Sequence, residues 1–472
     1  MAEKRTLIHL RRWSAVLLAL IVLGAAGLAV RAQSPQASVP ARATTATTID
    51  GTTGVPVEPP DSEIDNNIES DALTAVSPTA GGIDSDIGRR RSRPERPYYF
   101  LVQYAQRYDD NVLLDEADRL SDTVAVPEFG FGAQRIRSRS LLHVDYRGGA
   151  EIYRRFSEFN TTFHSLFTTA EYDLSKRTTI FVSNHFLRQP GPARFGALAL
   201  GGTGAALSVL KQNNTTVNDL SAGFTRLLDR RTRLRAAYSY TLSRFAEPRL
   251  VDSNEQALEI GYEHEANRRY SYELTYRFSH LSSHLSSNNN FLTNSFIPSF
   301  SYRSSAKLRL RLGAGPQLVN GRENNSLSWA ALAELAYSPS HFTALALRYR
   351  AGVGTGGGLA TATRNQTLFG SFAHIFRNKL QTEFGLGYTR ARALESLSIP
   401  FATGSGLVNK EVVFESTLSY PIAEHVAIFF DYSHARQFGD ALSSVKRNLF
   451  SAGISFDTRV STQLPRLRST RR

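Results

Sequence analysis

From position 97 onward, apolar and polar residues alternate with a period of two in runs about ten residues long, the pattern of a β-strand with two unlike faces. Over 233–243 one face reads Leu234, Ala236, Tyr238, Tyr240 and Leu242, while the other reads Arg233, Arg235, Ala237, Ser239, Thr241 and Ser243. Over 270–278, Tyr270, Tyr272, Leu274, Tyr276 and Phe278 alternate with Ser271, Glu273, Thr275 and Arg277. Leu308, Leu310 and Leu312 stand against Arg309 and Arg311; Val412, Phe414, Leu418 and Tyr420 stand against Glu411, Glu415, Thr417 and Ser419. No comparable helical stripe occurs in this region.

Short polar turns fall at 134–137, 174–177, 228–231, 266–269, 303–306, 337–341, 376–379 and 420–424, about every 41 residues. Between them lie longer connections rich in Asn, Ser and Gly, such as 282–290, 354–364 and 395–409. Short turns at one end and longer loops at the other are the signature of a transmembrane β-barrel. The predicted fold class is therefore all-β, an antiparallel up-and-down transmembrane barrel. Eight turns with one further strand at each end give 18 strands, from 98–108 to 448–460. A miscounted hairpin would make it 16, the weakest runs lying around Phe163 and Ser328. An even count returns both termini to one side, the periplasm of a bacterial outer membrane. A soluble propeller also strings short strands together, but no blade motif recurs and the connections at the two strand ends differ in length. Tyr98, Tyr262, Tyr270, Tyr337, Tyr388 and Tyr420 are placed as an interfacial girdle requires.

The N-terminus changes the setting. Lys4, Arg5, Arg11 and Arg12 precede an apolar run over 14–30, and Val30-Arg31-Ala32 fits a signal-peptidase site, so 1–32 reads as a secretory signal. An uncleaved anchor helix is the alternative. Residues 33–96 lack Phe, Tyr and Trp and are rich in Thr, Pro, Ser and Ala, the composition of a disordered periplasmic linker. The barrel then spans 97–460, and 461–472 form a basic tail. Apart from Trp13, every aromatic residue falls after Arg96. The absence of cysteine excludes disulfides, thiolate metal sites and cysteine nucleophiles. The net charge of +13 is shared unevenly, the signal holding +4, the linker −4 and the remainder +13, and implies no nucleic-acid partner.

On the polar faces Arg235, Glu259, Glu263, Glu273, Arg277, Arg309, Arg311, Glu334, Arg348, Arg350, Glu383 and Glu415 are expected to point into the lumen. Two readings stand: a salt-bridged wet interior that stiffens the barrel, or a selectivity lining. Arg309, Arg311, Arg348 and Arg350, with Arg235, Glu259 and Glu263 nearby, are the candidate pore-lining set. A barrel of this size leaves a channel unless something fills it. The longest connection, 189–215, carries apolar stretches at 195–200 and 205–210 and is expected to fold inward. Deleting 196–207 should then raise single-channel conductance.

Enzymatic constellations are poor. His280 and His284 read as a loop-edge pair, and the run 352–358, Gly-rich but without a following Lys, reads as a loop rather than a phosphate cradle. The chain is expected to be no enzyme and to need no cofactor or metal.

One resemblance enters at the first hairpin. Tyr104-Ala105-Gln106-Arg107-Tyr108-Asp109-Asp110-Asn111-Val112, followed by Asp122-Thr123 and Pro127, resembles the opening strand and Asp-Asp-Asn loop of the outer-membrane β-barrel porins associated with bacterial exopolysaccharide export systems. The likeness spans about thirty residues. It implies an outer-membrane barrel acting among surface-polysaccharide functions, with a polysaccharide or a periplasmic export component as partner, and brings no catalytic residue. Phe456 is an aromatic of the kind the barrel assembly machinery recognises in a last strand, although here 16 residues follow it. Asp109, Asp110 and Asn111 read either as turn formers or as a cation-binding loop with Asp115, Glu116 and Asp118. Two functions remain: a water-filled conduit for hydrophilic solutes or exported polysaccharide, and a non-conducting barrel that scaffolds a cell-envelope complex.

Overall fold

The computed structural model describes residues 97–458 except 115–117, 191–213, 247–250, 284–289, 306, 322–324, 341, 356–359, 377–378, 395, 400–401, 406–407 and 440–443. The signal, linker and tail expected at 1–32, 33–96 and 461–472 lie outside the described residues, as does most of the 189–215 connection.

Eighteen strands form one antiparallel sheet. They are β1 Tyr98–Asp109, β2 Asp122–Arg137, β3 Ser140–Tyr153, β4 Thr161–Ser175, β5 Thr178–Pro190, β6 Asn214–Leu227, β7 Thr232–Phe245, β8 Ser253–Glu265 and β9 Tyr270–Ser283. The second half holds β10 Phe291–Ser305, β11 Leu308–Asn320, β12 Asn325–Ser340, β13 Thr343–Thr355, β14 Ala362–Ile375, β15 Gln381–Ala393, β18 Val408–Ala423, β19 Val426–Gly439 and β20 Val445–Asp457. A small separate hairpin, β16 Ser396–Ile399 with β17 Ala402–Ser405, sits in the connection between β15 and β18. Each strand pairs with its neighbour in sequence, and β1 pairs with β20 from Leu101↔Asp457 to Asp109↔Leu449, which closes the barrel. Closure leaves no sheet edge, the condition for a sheet to stand in lipid.

The count matches the expected 18, and the runs around Phe163 and Ser328 are full strands of 15 and 16 residues. The first predicted turn, at 134–137, is corrected: β2 runs through Arg137, which pairs with Ser140, and the turn is Ser138-Arg139. Arg135 and Arg137 face outward and are polar because this end of the strand has left the apolar belt, while Gln134 faces the lumen. Likewise, β10 runs on to Ser305, and β13 and β14 extend into the stretch predicted as loop at 354–364. In the turn at 228–231 the Asp229 carboxylate accepts the Arg231 N–H at 2.7 Å, and that bond holds its carboxyl below the usual carboxylate range.

Side-chain parity follows the pleat. On β1, Leu101, Gln103, Ala105, Arg107 and Asp109 are buried inside, while Phe100, Val102, Tyr104 and Tyr108 are exposed outside. Outward residues are large and apolar all round: Trp329 is 61% exposed, Val102 57% and Leu386 55%, a surface that water would not tolerate and lipid requires. Among the described strands no Asp or Glu occupies an outward position. At the short-turn end Tyr98, Tyr262, Tyr270, Tyr337 and Tyr420 are exposed outward, and Tyr270 stacks on Tyr302 at 5.1 Å between ring centroids. Tyr388 lies mid-strand instead.

Six prolines fall within the strand ranges: Pro127, Pro190, Pro298, Pro316, Pro339 and Pro421. Pro298 on β10 and Pro316 on β11 interrupt the ladder between the pairs Ser295↔Gln317 and Ser299↔Gly313, because neither has an N–H to donate. Gly315 accommodates the crowding, since a Cβ there would collide with the Phe296 carbonyl.

Candidate functional site

The inner wall is built by alternation: one residue in two on every strand faces the lumen, and from β7 to β13 many of these are Arg or Glu. On β7 and β8, Arg233 contacts Glu265 at 2.8 Å and Glu263 at 3.8 Å. Arg277 on β9 reaches back to Glu255 at 2.8 Å and Glu259 at 3.7 Å on β8. Arg311 on β11 bonds Glu273 on β9 at 2.6 Å and approaches Glu334 on β12 at 3.9 Å. Glu334 also takes Arg350 at 3.0 Å and Arg348 at 3.6 Å from β13. One carboxylate is thus shared by three guanidinium groups. Arg235 lies over the Phe181 ring at 5.4 Å. Arg309 faces inward one step below Arg311, in register with Arg303 and Ala336.

All seven candidate pore-lining residues therefore face the lumen. The expected cationic patch of Arg309, Arg311, Arg348 and Arg350 is laced with glutamates. On the inner faces of β7–β13 stand eight arginines (Arg233, Arg235, Arg277, Arg303, Arg309, Arg311, Arg348, Arg350) against six glutamates (Glu255, Glu259, Glu263, Glu265, Glu273, Glu334), a difference of +2. The inner faces of β14, β15, β18 and β19 present Glu383, Glu411, Glu415 and Asp431 and no Lys or Arg, a sum of −4. An arginine-bearing sector and an acidic sector share one lumen.

Two connections at the long-loop end turn into the barrel. After β1, Val112 and Leu114 are buried, Val112 against the inward residues Ala105, Val124, Val126, Tyr153, Phe163 and Phe429, and Leu114 against Val445. Across the barrel, β13 leaves β12 after Ala351 and its tip leans inward. Gln317 on β11 caps the freed backbone, donating to the Val353 carbonyl at 3.4 Å and accepting its N–H at 2.8 Å. Val353 and Ala362 pack on Leu281 and Val319, and Thr361 donates to Ser283 on β9 at 2.9 Å. The 189–215 connection, singled out from its apolar content, lies mostly outside the described residues. The signal that could have marked the first of these segments is the run Val112-Leu113-Leu114 inside an otherwise acidic connection.

The Asp-Asp-Asn motif stands at the seam of the barrel. Asp109 is fully buried and takes a two-toothed grip from Arg447 on β20, Nε at 3.0 Å from Oδ1 and a terminal nitrogen on Oδ2. Asp110 accepts the Asn448 N–H and its side-chain amide, each at 2.6 Å. The Asn111 amide donates to the Lys446 carbonyl at 2.8 Å. Beside them Arg107 pairs with Glu151 at 2.9 Å, both buried. Both Asp109 and Asp110 are therefore engaged by β20; Asp118 is exposed, and Asp115 and Glu116 lie outside the described residues. Among the described residues no three His, Asp or Glu side chains come together to hold a metal ion.

No protein-family model matches the chain, and no curated protein matches it. Solved structures similar to it are outer-membrane proteins. OccAB4 of Acinetobacter baumannii aligns at 9% identity and a TM-score of 0.40, covering 77% of this chain and 98% of that one. The outer membrane protein opdK of Pseudomonas aeruginosa aligns at 9% identity and a TM-score of 0.40, covering 78% and 100%. The siderophore receptor PirA of Pseudomonas aeruginosa aligns at 8% identity and a TM-score of 0.36, covering 78% and 81%.

Proposed function

We propose that the chain is an outer-membrane channel for hydrophilic solutes, with its long-loop end at the cell surface and both termini in the periplasm. The observation that supports it most is the inner wall of β7–β13, where ion pairs run from strand to strand. A wall so densely charged is stable only where water can reach it, and barrels of 16 to 18 strands are wide enough to hold that water. The secretory signal read in the sequence is the route to the outer membrane. Phe456, exposed on the last strand, is the residue we assign to recognition by the assembly machinery. A role for exported polysaccharide rests on the likeness of the first hairpin alone.

The test is conductance of the refolded full chain in a planar bilayer. Long-lived open steps that scale with salt concentration are expected. A folded barrel that gives no steps would instead support the scaffold reading, for which the inward-packed residues Val112, Leu114, Val353, Thr361 and Ala362 are the specific observation.

A further inference from the structure

The short-turn end of the barrel is crowded with cations. The five turns from β2–β3 to β10–β11 carry Arg139, the pairs Lys176-Arg177, Arg230-Arg231 and Arg268-Arg269, and Lys307, all exposed, against the single acid Asp229. Eight positive charges and one negative leave +7 on these turns. The strand-end acids beside them, Asp173 and Glu265, face the lumen, where they bond Thr179 and Arg233 at 2.7 and 2.8 Å. Outward Arg135 and Arg137 on β2 and Arg226 on β6 are also exposed at this end. Between the turn after β4 and the end of β6 lies a cleft of about 320 Å³, lined by Lys176, Arg177 and Arg226 beside Leu227 and Leu228.

The same end of the barrel receives the chain from its N-terminal side. β1 starts here, and the Pro97 carbonyl accepts the Gln134 N–H at 2.8 Å beside the first of these turns. The preceding sequence holds nine Asp or Glu over 50–86 and no Lys, Arg or His, a charge of −9. Blocks rich in one charge are typical interaction segments. Within this one, Glu63-Ile64-Asp65 and Ile68-Glu69 set isoleucines beside carboxylates, the complement of a cleft in which leucines stand beside three cations. The tether is long enough. Asp86 lies 11 residues before Pro97, up to about 36 Å of chain, whereas the five strand spacings from β1 to β6 amount to about 24 Å.

We propose that the acidic segment 50–86 of this chain docks on the basic turns, with one of its isoleucine–carboxylate pairs in the cleft of Lys176, Arg177 and Arg226. Each exposed ion pair contributes little alone, so the contact draws on many pairs at once and on the tether, which holds the segment at an effective concentration of about millimolar. Docked, the segment offsets the +7 of the turns and removes the positive field at this mouth of the barrel. The surface stands whether or not the lumen conducts.

The experiment places the folded full chain in phosphatidylcholine nanodiscs at low salt and follows cleavage after Glu58, Glu63 and Glu69 by a glutamate-specific endoprotease, each rate divided by that of a free 50–86 peptide in the same buffer. Wild type is expected to be cut about tenfold more slowly than the peptide, and at the peptide's rate in about 0.5 M sodium chloride, where the screening length falls to about 4 Å. The variant K176Q/R177Q/R226Q/R230Q, verified as folded by its unheated gel migration, should lose the protection. So should D61N/D65N/D71N/D84N/D86N, which keeps the cleavage sites. The control R390Q/R392Q/R436Q, three exposed arginines at the long-loop end, should be protected as wild type is. Cleavage of wild type at the peptide's rate, equal protection of wild type and either the basic-turn or the acidic-segment variant, or loss of protection in the control would each overturn the proposal. Protection that disappears only in R89Q/R90Q/R91Q/R93Q/R96Q would put the segment on the chain's own arginine block, and loss of wild-type protection in nanodiscs containing phosphatidylglycerol would give the turns to lipid headgroups; either result overturns it.

Discussion

Replacing Arg447 with Ala is expected to destabilise the barrel by about 3–5 kcal/mol, the usual penalty for removing one partner of a buried ion pair. Its side chain is 1% exposed and that of Asp109 is 0%, so no water replaces the lost guanidinium. Asp109 would keep the Asn111 N–H, at 3.0 Å, beside a second buried pair, Arg107 with Glu151. The damage falls where the barrel can least absorb it. The pairing of β1 with β20 joins residues about 340 positions apart in sequence, so the seam is the contact with the largest loop-closure cost. The measurement is the temperature at which the unheated gel mobility of the folded barrel is lost, compared for wild type, R447A and the double variant D109L/R447M. The single variant should melt far below wild type and the double should recover most of the loss, since two apolar side chains of similar bulk leave no buried charge unpaired. An unchanged midpoint for R447A would refute this account of the seam.

The strands, their faces and their number were legible in the sequence because the pleat imposes a period of two and lipid on one side with water on the other keeps that period strict. Arg309, Arg311, Arg348, Arg350, Arg235, Glu259 and Glu263 all face inward, as alternation alone predicts. Their partners were not legible: Arg311 bonds Glu273, 38 positions away, and a ladder register is a property of two strands and not of one. The Asp-Asp-Asn motif shows the same limit. Its residues have ordinary turn character locally, and nothing near them in sequence points to Arg447 or Asn448. The outward arginines at strand ends were missed for a different reason. Reading polar residues as inward and apolar residues as outward reverses the ends of strands such as β15, where Ala391 and Ala393 face in and Arg390 and Arg392 face out. Past the apolar belt the outer wall meets polar surroundings too, and composition no longer distinguishes the faces.

Glu334 to Gln is the substitution expected to change permeation most. The glutamate is the common acceptor of Arg311, Arg348 and Arg350, at 3.9, 3.6 and 3.0 Å. The amide fills the same volume and keeps one acceptor oxygen, so the wall holds its shape while its charge rises from +2 to +3. Three arginines would then face the lumen without the carboxylate they share, Arg311 keeping its bond to Glu273. Charged rings set which ions a pore admits, and in a confined lumen such a field is screened less than on an open surface. The reversal potential under a potassium chloride gradient should therefore move toward chloride. A stability loss of about 1 kcal/mol is expected, small because Glu334 is 29% exposed and water partly replaces it. Glu263 to Gln makes the same charge change beside Arg233, 3.8 Å away, and should shift the potential less. The double variant R348Q/R350Q should move it the opposite way, toward potassium, because the acidic wall formed by Glu383, Glu411, Glu415 and Asp431 would then dominate the lumen. If E334Q conducts as an intact barrel with the wild-type reversal potential, the arginine sector is a girder of the wall and not the surface that permeating ions meet.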